Sequence, residues 1–129
     1  VGLMTQWSKD GKVEERSADE DMGGTMRLGS YEAVLTPGSL AQKTYGIDHV
    51  QERHRHRYEV NPAYRETYAA KGLIFSGMTE DGMLPEVIEL EGHPWFLAMQ
   101  CHPEFNSKPT RPHPAFVGFV KAAQVHQHT

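Results

Sequence analysis

Apolar positions along this chain come in short groups, and their spacing predicts strands more often than helices. Tyr31 to Leu35, Leu73 to Ser76, Glu86 to Leu90 and Trp95 to Gln100 are brief apolar or alternating runs bounded by turn residues, the pattern of β-strands. Helical signals occur in three places. Ser39 is placed to cap a short helix that runs through Tyr45 and stops at Gly46. Asn61 followed by Pro62 is a helix start, an acceptor for the first free N–H groups and then a proline in the first turn. That helix is expected to reach Lys71, with Gly72 as its stop. Phe116, Phe119, Val120 and Ala123 recur at helical spacing and predict a closing amphipathic helix over 114–123, with a frayed tail at 126–129. Strands interleaved with helices predict an α/β or α+β sheet in one domain over 1–129.

One stretch breaks the pattern. Residues 8–22 carry six acids (Asp10, Glu14, Glu15, Asp19, Glu20, Asp21) against Lys9, Lys12 and Arg16, with almost no apolar residue apart from Val13. Such a segment cannot bury enough surface to offset the entropy of ordering it, and a mobile loop is expected there. Order is expected to return at Gly23–Gly29, a short segment bracketed by glycines.

Composition narrows the class. The 129 residues are 38% hydrophobic, enough for one modest core, and no run approaches the roughly 18 apolar residues of a membrane span. No signal-peptide pattern opens the chain, and one cysteine, Cys101, rules out an internal disulfide and suits a reducing, cytoplasmic setting. A formal charge of -4 excludes a general electrostatic pull toward nucleic acid. The chain begins at Val1 rather than methionine and is already patterned there, so it reads as a segment of something longer.

Unusual residues concentrate in two places. In the run Glu52–Glu59 an extended backbone puts His54, His56 and Tyr58 on one face and Arg53, Arg55, Arg57 and Glu59 on the other. Aligned guanidiniums suit a carboxylate or phosphate held by bidentate hydrogen bonds, and they equally suit a solvated edge strand guarded by charge. The second place is His102-Pro103-Glu104, directly after an apolar strand, where open sheets carry their site residues. In an extended His-x-Glu both side chains point the same way, so Glu104 can accept a hydrogen bond from His102 and stabilise an imidazolium. A structural turn with a surface ion pair fits the same three residues. Cys101 neighbours His102, but adjacent strand residues face opposite ways, so it reads as a small buried hydrophobe rather than the nucleophile of a triad. No Gly-x-Ser-x-Gly or Gly-x-Cys-x-Gly elbow occurs in the chain.

Several blocks together carry a resemblance. These are Gly23–Gly29 (Gly-Gly-Thr-Met-Arg-Leu-Gly), Glu52–Asn61, His93-Pro94-Trp95-Phe96, Gln100–Phe105 and Pro112–Phe119. In order and spacing they resemble the C-terminal part of the class I glutamine amidotransferase domain of the CTP synthase family, from about Gly23 to Ala123. The resemblance implies the C-terminal half of a flavodoxin-like α/β domain. It implies an enzyme that hydrolyses L-glutamine with a Cys-His-Glu triad and passes ammonia to a UTP activated by ATP in a synthetase domain of the same parent chain. By motif, His102 matches the triad histidine, Glu104 the triad acid and Arg57 a residue that contacts glutamine, with Tyr58 beside it. It implies ATP and Mg2+ for the parent and no cofactor within this segment, GTP as an activator, and a homo-oligomeric, tetrameric parent with neither nucleic acid nor membrane as partner. The family's nucleophilic cysteine and oxyanion-hole glycines lie upstream of the matched segment, so these 129 residues by themselves are expected to be inactive and marginally stable.

Two other readings remain from the residues. His54, His56 and His102, with Glu59 and Asn106 nearby, resemble the ligand pattern of cupins, metal-binding barrels. The Arg-His ladder with Tyr58 fits a non-catalytic anion- or RNA-binding module.

Overall fold

The computed structural model describes residues 2–3, 6–9, 12–15 and 26–128. In chain order the first elements are β1 (Gly2–Leu3), β2 (Gln6–Lys9), β3 (Lys12–Glu15) and β4 (Arg27–Leu35). Then follow α1 (Leu40–Tyr45), β5 (His49–His56) and β6 (Tyr58–Glu59). A 3-10 turn over Pro62–Tyr64 leads into α2 (Arg65–Ala69), followed by β7 (Leu73–Thr79), β8 (Pro85–Leu90) and β9 (Leu97–Met99). A second 3-10 turn, Pro103–Asn106, precedes α3 (Pro114–Gln127).

Five strands form the main sheet in the order β5-β4-β7-β8-β9, each pair antiparallel. The sheet is curled. Glu86 on β8 touches both Arg27 on β4 and His54 on β5, strands that a flat sheet would hold roughly 10 and 14 Å away. A bulge in β7 around Gly77 contributes to this curvature. A Cβ at Gly77 would stand 2.8 Å from Cγ2 of Val87, so only glycine lets β7 and β8 approach here.

Strand alternation decides what the sheet encloses. Register pairs Arg27 with His56, Gly29 with His54, Tyr31 with Glu52 and Ala33 with Val50. The apolar end of this inner face joins the core of Ala33, Leu35, Ala41, Val50 and Val87, with Tyr45, Leu97 and Met99 against it. The other end is lined by ionisable groups, Arg27, Glu52 and His54, all buried.

The helices cover this core by local rules. Ser39 caps α1 by accepting from Gln42 N–H (3.1 Å), and Gly46 ends it at φ 77°. Glu89 on β8 takes the N–H groups of Leu40 and Ala41 at 3.1 and 3.0 Å, fastening α1 to the sheet. At Gly118 of α3 a Cβ would lie 3.1 Å from Trp95 and 3.2 Å from Thr44 of α1, which is why the helices meet there.

Three expectations need correction, and a fourth, order returning at Gly23–Gly29, holds for the residues described there. Within 8–22, Ser8 and Lys9 of β2 pair with Val13 and Lys12 of β3, so these residues are strand rather than loop; residues 10, 11 and 16–22 lie outside those described. Of the segment Gly23–Gly29, residues 23–25 also lie outside, while Arg27 to Gly29 already belong to β4. The helix after Asn61 begins as a 3-10 turn and ends at Ala69, short of Lys71. The closing helix continues to Gln127, so residues 126 and 127 are helical rather than tail.

Candidate active site

His102 and Glu104 meet, though not by the expected route. Pro103 starts a 3-10 turn instead of prolonging the strand, since its fixed φ suits a helical turn. His102 sits at the N-terminal cap position of that turn. Its Nδ1 lies 3.1 Å from Oε2 of Glu104, and both side chains are open to solvent. The hydrogen bond from His102, aided by Glu104's own backbone N–H, lowers the Glu104 carboxyl below its ordinary range. In the tautomer that donates Nδ1–H to Glu104, Nε2 is left as the acceptor, the arrangement of an oriented general base.

The turn is tied at both ends to one strand. His102 N–H donates to the carbonyl of Arg53 (2.8 Å), and the Asn106 amide donates to the carbonyl of Gln51 (3.3 Å) and to Oε1 of Glu52 (2.5 Å). Glu52 is buried, and its other oxygen accepts from Tyr45 Oη at 2.6 Å and from His113 Nε2 at 2.5 Å. His113 caps α3: its Nδ1 accepts from Ala115 N–H (3.0 Å), which leaves the proton on Nε2 for Glu52. Burial alone would raise the Glu52 carboxyl, but the donors His113, Tyr45 and Asn106 outweigh it and hold it below its ordinary value.

Cys101 lies two residues beyond β9 with its Sγ 3.9 Å from Oε2 of Glu52. Burial, reinforced by the charges of Glu52 and Glu86, pushes its thiol well up, so it stays protonated and unreactive.

The expected two-faced ladder holds only in part. His54 and His56 point inward and Arg53 and Arg55 outward from this edge strand. At Arg57 the chain bends and the phase reverses, so Tyr58 is exposed and Glu59 buried, opposite to a continuous strand. The reason is β6, which leaves the main sheet to pair with β1. Arg57 itself is half-buried at this bend, four residues from Arg53 and at most about 13 Å along the chain from the backbone that anchors His102.

The histidines of the ladder belong to a buried ionic cluster. Arg27 pairs with Glu59 (2.8 Å) and Glu86 and lies over the Tyr31 ring at 4.5 Å. His54 Nε2 is 2.9 Å from Glu86, and its Nδ1 is 2.9 Å from His56 Nε2. One guanidinium between two carboxylates cannot neutralise both. Burial, with the neighbouring Glu86 charge, therefore raises Glu59 to about 7, Arg27 offsetting only part of the rise. Burial and the nearby His54 and Arg27 charges lower His56 to about 4. This also removes the metal-barrel reading: His54 and His56 are engaged inside, whereas His102 lies on the exposed turn. Among the described residues no three His, Cys, Asp or Glu side chains are grouped to hold a metal ion.

Glu52 and His113 are the parts of the site that residue spacing did not single out, and spacing marks Asn106 only as a cupin-like neighbour of His102. An inward-facing glutamate on the His54–His56 face was the one available signal, because a buried carboxylate must find donors.

Comparison with known proteins bears on this arrangement. The family model described as "Glutamine amidotransferase class-I" matches residues 4–122. The CTP synthase of Granulibacter bethesdensis is 61% identical over 124 residues, and that of Beijerinckia indica is 56% identical over 123. Each alignment covers 95% of this chain, and the chain spans 23% of the length of these relatives. A solved structure, the glutaminase domain of Trypanosoma brucei CTPS with bound acivicin, superposes with a TM-score of 0.73 at 39% identity. It covers 77% of this chain and 40% of its own. Among the described residues no helix is long and apolar enough to cross a membrane.

Proposed function

The chain belongs to the glutamine amidotransferase class-I family, and from that premise we propose that it is the C-terminal part of the glutaminase domain of a CTP synthase. The observation that carries this reading is the His102–Glu104 pair, 3.1 Å apart in the turn that follows β9, with both side chains partly open to solvent.

In this reading His102 takes the proton of a cysteine thiol, and the thiolate attacks the side-chain amide carbon of glutamine. His102 returns the proton to the departing ammonia, leaving a thioester. It then withdraws a proton from the water that cleaves the thioester, yielding glutamate and the free thiolate. Glu104 holds the imidazole in the working tautomer and stabilises its charged form. Arg57, aided by Tyr58, binds the α-carboxylate of glutamine. Cys101 cannot supply the thiolate, and the reaction draws it from another part of the parent protein. The ammonia passes to UTP in the parent's synthetase domain. In this reading ATP and Mg2+ are used by that domain, and GTP activation and tetramer formation are properties of the same parent.

The test is glutamate release by the full-length protein carrying this segment. His102→Ala is expected to abolish it, and Glu104→Gln to reduce kcat by about 10²–10⁴-fold, as loss of an orienting carboxylate does in a triad. Arg57→Ala should act mainly on KM for glutamine. The 129 residues alone should release no ammonia. Wild-type turnover in His102→Ala would refute the assignment.

A further inference from the structure

The His102–Glu104 pair is partly open to solvent, and the Phe105 ring 5.7 Å from the imidazole is itself exposed, so side-chain packing does little to hold the pair in place. What holds it is the backbone of the 3-10 turn, and both ends of that turn lead to three consecutive residues of β5. At the entry, His102 N–H donates to Arg53 (2.8 Å); at the exit, Asn106 donates to Gln51 and to Glu52. Just beyond the turn, Ser107 Oγ accepts from the backbone N–H of His113, whose ring returns to Glu52. One buried carboxylate thus joins the last residue of α1, the exit of the turn and the cap of α3.

We propose that Glu52 is a positioning residue: through Asn106 its carboxylate sets the position of the turn that carries His102 and Glu104. This rests on the glutaminase reading above and adds to it a residue that touches neither substrate nor the reacting atoms. The relevant quantity is geometric. A misplacement of about 1 Å in a catalytic group can cost on the order of 10²-fold in rate while substrate affinity is kept.

Asn106 offers a probe that spares the core, because it is exposed and outside every helix and strand that packs the sheet. Asn106→Asp keeps its shape but sets a second carboxylate against Glu52, so the turn is released. Adding Glu52→Gln restores the hydrogen bond between residues 52 and 106 in exchanged order, with the glutamine oxygen still facing Tyr45 and His113; only the longer contact to the Gln51 carbonyl (3.3 Å) stays unmade. In the full-length protein, Asn106→Asp is expected to lower kcat for glutamine hydrolysis by about tenfold to 10²-fold with KM little changed. Formation of CTP from externally supplied ammonia should be unaffected, and Asn106→Asp/Glu52→Gln should recover most of the lost kcat. A purely structural role for Glu52 would produce neither the kcat-only loss nor the rescue. The proposal is overturned if Asn106→Asp turns over at the wild-type rate while His102→Ala is dead. It is equally overturned if the double variant is no better than the single one. If the wild-type protein itself hydrolyses no glutamine, it is the glutaminase reading that fails.

Discussion

His113 serves Glu52 and helix α3 with opposite sides of one ring: Nε2 donates to the buried carboxylate while Nδ1 accepts the N–H of Ala115. Each role fixes the other, because the cap keeps the Nδ1 lone pair free and so leaves the proton on Nε2.

His113→Ala removes both contacts at once. The lost cap costs about 1 kcal/mol and a missing donor to a buried carboxylate about 1–3 kcal/mol. His113→Asn preserves a cap but is too short to satisfy Glu52 in the same way, so it should lie between the two. Urea denaturation of the three forms is expected to rank them wild type, Asn, Ala. A His113→Ala midpoint equal to that of wild type would contradict the shared role.

Gly77 and Val87 define the tightest approach between β7 and β8. A methyl at Gly77 would meet Val87 at 2.8 Å and Leu35 at 3.2 Å, both in the core. Gly77→Ala should destabilise by about 1–3 kcal/mol, the usual range for overpacking. Val87→Ala also destabilises, by leaving a cavity; it removes the Cγ2 contact but keeps the Cβ that the new methyl would meet at 2.9 Å, so the two together should cost less than their sum without approaching wild-type stability. Thermal denaturation of the four proteins completes the cycle; strict additivity would mean that the bulge relaxes instead.

Cys101 sits beside the candidate catalytic histidine in sequence, and the structure makes it inert. Burial and the Glu52 charge hold the thiol protonated. A thiol reagent at pH 8 should label it slowly in the native protein and quickly in urea. Cys101→Ala should leave glutamine hydrolysis by the full-length protein near the wild-type rate. Rapid native labelling would show an accessible thiolate and reopen its role.

The ionic cluster gives stability an unusual pH dependence. Glu59 ionises near 4.5 when unfolded but retains its proton to about 7 in the fold. Between those values the folded state binds more protons than the unfolded one, so the Glu59 contribution falls as pH rises. His56 runs the other way: its 6.5 drops to about 4, the folded state binds fewer protons between them, and stability rises with pH across that window. In wild type the two trends largely cancel. Glu59→Gln removes only the first, so the variant should gain on wild type between about pH 4.5 and 7, by an amount on the order of 2 kcal/mol. Urea titrations at pH 5 and 7.5 measure this difference, and a pH-independent gap would exclude the raised carboxyl.

What the sequence determined by itself was local. Ser39 and Gly46 bound α1 because a cap acceptor and a left-handed glycine act within one turn of chain. Alternation placed His54 and His56 on a common inward face because a strand repeats every two residues. His102 and Glu104, two residues apart, could be paired whatever the intervening backbone did. Tertiary structure decided the rest, and for one reason: the partners are distant in the chain. The bend at Arg57 that buries Glu59 follows from pairing with β1, more than fifty residues earlier. Glu52 meets the turn that carries His102 and Glu104 only when the chain brings back Asn106 and His113, 54 and 61 residues later. The curl that sets Glu86 against Arg27 and His54 belongs to the whole sheet, and no local pattern of polar and apolar positions encodes it.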